Sequence, residues 1–94
     1  MKISPTFLIL TWIQTTDRVN ETVQAKKALI IQKYDRQHQK QVFTAWLESY
    51  GSTYIEAHAR TSIEGSARDI LEMLILNALD DVDWEAIASN ILAD

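Results

Sequence analysis

The sequence predicts an all-α fold, a small bundle of four or five helices. Three observations point there. Glycine and proline are scarce, with two and one in 94 residues, whereas small β-sandwiches and barrels need many tight turns. Apolar residues recur at helical spacing in several segments. Capping residues sit where those segments begin.

Ser4-Pro5 reads as an N-cap followed by proline at the first helical position. A helix over about 5–14 follows, apolar at Phe7, Leu8, Leu10, Trp12 and Ile13. Its β-branched and aromatic content leaves a strand over 6–14 as the alternative. Thr16 or Asp17 caps the next helix, where Val19, Val23, Ile30 and Tyr34 define one buried face, with Leu29 and Ile31 beside them. The polar run Asp35–Gln41 contains neither glycine nor proline, and Val42, Phe43, Trp46, Leu47 and Tyr50 resume the apolar pattern. The expectation is one long helix over about 17–50 with a solvated waist, ended by Gly51; a helix pair with a loop at the waist is the alternative. Thr53–Glu56 and Thr61–Glu64 both fit a capping box. A further helix is therefore expected from Tyr54 through Ala59, with a restart at Ser62 or a bend at Gly65.

Ala67–Leu79 is the most apolar stretch, interrupted only by Arg68, Asp69, Glu72 and Asn77. A helix that apolar around its circumference is expected to lie inside the domain, so a buried central helix over about 66–79 is predicted. Asp80–Asp83 is an acidic turn. Asp83 caps a final helix, Trp84–Leu92, whose first turn also carries Glu85 in favourable relation to the helix dipole. No linker or repeat divides the chain, so residues 1–94 form a single helical domain. A domain this size buries roughly 60–65% of its unfolded surface, enough to fold alone with a modest margin.

The functional classes narrow by exclusion. Cysteine is absent, which removes disulfides, thiolate metal sites and cysteine nucleophiles. His38 and His58 stand twenty residues apart in no ligand pattern, so no metal is expected. There is no G-x-S-x-G elbow and no glycine-rich phosphate loop. No catalytic residue, cofactor or enzymatic activity is expected. The apolar run Phe7–Ile13 is short and lacks a small-x-small cleavage site. Nothing approaches the roughly 18 apolar residues of a membrane span. A cytoplasmic protein is expected.

Charge carries the remaining information. Residues 1–47 hold seven basic and three acidic side chains, net +4; residues 48–94 hold two and ten, net −8, giving −4 overall. The acidic half suggests a non-enzymatic regulator or inhibitor that binds a basic protein partner. Its candidate face comprises Glu64, Glu72, Asp80, Asp81, Asp83, Trp84 and Glu85, with Trp46 and Trp84 as partly exposed candidate anchors. The basic residues Lys26, Lys27, Lys33, Arg36 and Lys40 offer the alternative, a small DNA- or RNA-binding regulator. A homodimer is expected, because the apolar central helix needs cover and the two halves carry opposite charge.

Overall fold

The structure, a computed structural model, describes residues 4–62 and 67–93, with backbone alone for 58–62 and 67–72. Five helices account for nearly all of it: α1 (Pro5–Thr15), α2 (Asp17–Lys33), α3 (Arg36–Ser62), α4 (Ala67–Asp80) and α5 (Trp84–Leu92). The described residues contain no strand, so the segment 6–14 is helix.

Local chemistry explains the boundaries. The Ser4 hydroxyl accepts the Phe7 N–H at 3.1 Å, and Pro5 follows it as the first helical residue. α1 stops where Thr16 turns extended and donates its N–H to the Trp12 carbonyl. Thr16 also occupies the cap position of α2, without a side-chain cap bond.

The helix expected over 17–50 is two helices. Tyr34 is extended, with φ −116° and ψ 151°. Asp35 then caps α3, its carboxylate accepting the His38 N–H at 3.0 Å and its carbonyl accepting the Gln39 N–H at 3.0 Å. The Gln39 carboxamide closes the turn on the Tyr34 carbonyl at 3.0 Å. An aspartate at this position gives the chain a capped start that competes with continuation.

Gly51 is not a helix stop. It lies within α3, which runs on to Ser62, and it is buried. A Cβ there would lie 2.6 and 2.9 Å from two ring carbons of Trp84. The glycine is a notch for the indole of α5. No restart occurs at Ser62, since α3 continues from Tyr54 to that residue; a bend at Gly65 lies outside the described residues.

The largest correction concerns the apolar stretch 66–79. α4 forms there, but it is peripheral. Met73, Leu74 and Leu76 are 65%, 58% and 38% exposed, and Leu79 is the buried residue among its described side chains. The centre belongs to α3 and α5. Phe43 and Leu47 of α3 meet Trp84, Ile87, Ala88 and Ile91 of α5, joined by Ile13, Val19, Val23, Ile30 and Val82. α4 has apolar side chains on more sides than a five-helix chain has helices to cover, so the surplus faces solvent. α5 concentrates its apolar residues on one face and is fully seated by it.

Trp84 is 6% exposed, so it anchors the interior and not an outer surface. Trp46 is half-buried. α3, at about 1.5 Å per residue, is about 40 Å long and acts as the spine of a body 47 Å in its longest extent.

Two measurements follow. Gly51→Ala in a helix interior would ordinarily stabilise, but here it drives a methyl into the Trp84 ring, so a loss of about 1–3 kcal/mol by urea unfolding is expected. Pairing it with Trp84→Leu should recover part of that loss. The second measurement is pH-dependent. Hydrogen bonds from the His38 side chain and backbone hold the Asp35 carboxyl below its ordinary value of 3.8. A carboxyl depressed in the folded state contributes stability above its unfolded pKa and loses it as pH falls through the folded value. Thermal unfolding of the wild type should therefore fall more steeply on acidification below about pH 4 than that of Asp35→Asn.

Candidate functional site

The acidic and basic residues singled out by sequence divide into those that hold the fold and those left on its surface. Asp83 caps α5, its carboxylate accepting the Ala86 N–H at 3.0 Å. Its own N–H donates to the Thr6 hydroxyl at 2.8 Å, which ties α1 to the α4–α5 turn. Glu85 pairs with Lys40 at 2.9 Å. Trp84 is interior. Asp80 and Asp81 are exposed, at and just beyond the C-terminal end of α4. The side chain of Glu72, and Glu64 altogether, lie outside the described residues.

The basic segment is divided in the same way. The Lys27 ammonium donates to the Ile91 carbonyl at 2.8 Å, near the negative end of the α5 dipole. Lys26 lies 5.9 Å above the Trp46 ring, and Lys33 lies 5.5 Å from the Tyr34 ring. Arg36 is exposed in the first turn of α3. Lys27 and Lys40 thus serve the docking of α5. The attraction between basic and acidic halves operates in part within one chain.

Asp80 and Asp81 gain nothing comparable. No basic residue stands in the last turn of α4. Negative charge there opposes the helix dipole at about 0.3–1 kcal/mol per residue. Beside them lies an apolar surface that sequence reasoning assigned to the interior. Met73, Leu74 and Leu76 of α4 are exposed, and a groove of about 150 Å³ lies between α1 and α4, lined by residues including Leu8, Ile9, Ile55, Ile75 and Leu79. Leu8 is 52% exposed and Phe7, next to it in α1, 59%. This face was not legible as exposed, because apolar density alone does not say how many neighbours a helix will have.

His38 is exposed, and its Nδ1 lies 2.6 Å from Asp35 Oδ1; this contact belongs to the α3 cap. The His58 side chain lies outside the described residues. Among the described residues, no group of three His, Asp or Glu side chains is placed to hold a metal ion. No helix among them is long and apolar enough to cross a membrane.

Fold and surface together define a small all-α bundle with exposed apolar side chains on α1 and α4 and exposed carboxylates at the C-terminal end of α4. No family model matches the chain, and neither a curated protein nor a solved structure matches it.

The placement of Asp80 and Asp81 is testable without a partner. Asp80→Lys plus Asp81→Lys should keep the helical circular dichroism and raise unfolding stability by about 0.6–2 kcal/mol, because both charges now suit the helix end. A loss of stability would show that these carboxylates support the fold instead.

Proposed function

We propose that the chain is a small, non-catalytic, cytoplasmic regulator or inhibitor that works by binding another protein. The docking face is the apolar surface of α1 and α4, and the partner is an apolar helix carrying basic residues that meet Asp80 and Asp81. The carrying observation is the exposure of Met73, Leu74 and Leu76. With roughly 200 Å² for a fully exposed large side chain, those residues with Phe7 and Leu8 present about 500 Å² of apolar area. Specific interfaces take about 800 Å² from each side, a little over half of it apolar. The amount on α1 and α4 fits that requirement. Charge sets the sign of the partner, since two carboxylates at the rim repel an acidic helix and attract a basic one.

The same apolar area supports self-association when no partner is present, so a homodimer through this face is the expected resting state. The alternative of a DNA- or RNA-binding regulator has less support. Lys27 and Lys40 of its candidate set are engaged by α5, and the remaining cations are divided between α2 and α3.

Two probes test the reading: light scattering of the chain alone, and titration with a leucine- and lysine-rich amphipathic helical peptide beside its leucine- and glutamate-rich counterpart. The wild type should dimerise and should bind the lysine peptide in preference to the glutamate one. Leu74→Glu should be monomeric and weaken the peptide complex at least about tenfold. Asp80→Lys plus Asp81→Lys should remove the preference. A wild-type chain that stays monomeric and ignores both peptides, or binds them equally, would overturn the proposal.

A further inference from the structure

The joint between α2 and α3 consists of Tyr34 and Asp35, since α2 ends at Lys33 and α3 begins at Arg36. The residues around it suit a helix. Asp35–Gln41 holds neither glycine nor proline, so no residue type there breaks one. Two side-chain bonds hold the bend. The Asp35 carboxylate accepts the His38 N–H at 3.0 Å, and the Gln39 carboxamide donates to the Tyr34 carbonyl at 3.0 Å. Straightening gives these up. In return the N–H groups of residues 35–38 reach the carbonyls of residues 31–34, in the ordinary helical pattern. The Tyr34 N–H already donates to the Ile30 carbonyl, and the Gln39 N–H to the Asp35 carbonyl, as a continuous helix requires. Bent and straight forms both satisfy the backbone, and the cap at Asp35 decides between them.

We propose that this joint opens and that two copies of the chain then exchange their α1–α2 units. The contacts of that unit identify the occupant. α1 and α2 give Ile13, Val19, Val23 and Ile30 to the core, each at most 2% exposed. Their other ties also reach the remainder of the bundle. The Thr6 hydroxyl accepts the Asp83 N–H, the Lys27 ammonium donates to the Ile91 carbonyl, Lys26 stands over Trp46, and Trp12 packs on Tyr54. With the joint straight, residues 17–62 form one rod about 70 Å long. A rod cannot fold α2 back onto its own α3. The four core side chains then face water, and the surface that fits them is the α3–α5 portion of a second copy. Two open chains close on each other and remake these contacts between chains, which is exchange of an identical element.

The joint itself loses no apolar cover in the process, because residues 35–38, 40 and 41 are polar and already exposed. The exchanged dimer does not use Met73, Leu74 or Leu76, so it is distinct from association through α1 and α4. It also forms and decays slowly, since four buried side chains must leave the core before α1–α2 can move.

The test is made on the full chain carrying Leu74→Glu, which removes the contribution of the α1–α4 face. The protein is unfolded in urea, refolded at millimolar concentration, diluted to micromolar and sized by light scattering. A dimer that persists after dilution is expected, and refolding at micromolar concentration should return the monomer. Asp35→Ala, at an exposed position, removes the cap and suits a helix interior. It should raise the dimer association constant at least about tenfold, because two joints change in each dimer. Arg36→Pro suits the first position of α3 but clashes inside a continuous helix, so it should keep the helical circular dichroism and abolish the dimer. Labelled and unlabelled chains refolded together should show an isotope-filtered nuclear Overhauser contact between the Thr6 side chain of one chain and the Asp83 amide of the other. No dimer from Asp35→Ala after concentrated refolding, a dimer that survives Arg36→Pro, or a Thr6–Asp83 contact confined to single chains would each overturn the proposal.

Discussion

The structure depends on the seating of the Trp84 indole over Gly51. α5 has nine residues, too short to be stable by itself in water. It is held because Trp84, Ile87 and Ile91 are almost fully removed from solvent, each worth about 1.5–3 kcal/mol. That total is comparable with the net stability of a small domain. The indole reaches its place only because α3 has no side chain at position 51. One absent methyl therefore fixes the distance between the two helices that make the core. The remaining ties locate α5 along that line: Asp83 caps its start, Lys27 meets its end and Lys40 reaches Glu85.

The opposed charges of the two halves acquire a structural explanation in this arrangement. Lys27 and Lys40 face the final helix, and their partners are a backbone carbonyl and an exposed carboxylate. Such contacts steer docking more than they stabilise it, because an exposed pair contributes about 0–1 kcal/mol. What remains unspent is informative. Asp80 and Asp81 lie exposed at the wrong end of a dipole, on a helix whose Met73, Leu74 and Leu76 are also in water. That arrangement does not stabilise the helix, and it is the kind of feature that recognition uses.

Much of the fold was legible because its signals are local. Ser4-Pro5 and Asp83 announce helix starts through bonds spanning three residues, and the Val19–Val23–Ile30 face follows from spacing within one helix. The break at Tyr34–Asp35 was legible only as an alternative, since Asp35 is a good cap and an unremarkable mid-helix residue at once. Gly51 misled because a glycine that ends a helix and one that admits a distant ring look identical in sequence. α4 misled for a related reason: apolar content measures what a helix would bury given neighbours, not how many neighbours it has. The contacts of Lys27 with Ile91 and of Thr6 with Asp83 join residues 64 and 77 positions apart, beyond any local pattern. Of the candidate acidic face, Asp80, Asp81, Asp83 and Glu85 are exposed, while Trp84 went to the interior.

Because α5 supplies so much of the interior, the order of synthesis has consequences. Val23, Ile30, Phe43 and Leu47 leave the ribosome long before Ile87 and Ile91, the residues that cover them. Until those arrive, the nascent chain can form helices but cannot complete its hydrophobic centre. Acquisition of this core must wait for residues 84–92, and the separation of these contacts along the chain adds a loop-closure cost to that step. The same dependence makes the bundle vulnerable to trimming: a peptidase that removed residues 84–92 would convert a folded domain into an open set of helices with its tryptophan notch empty.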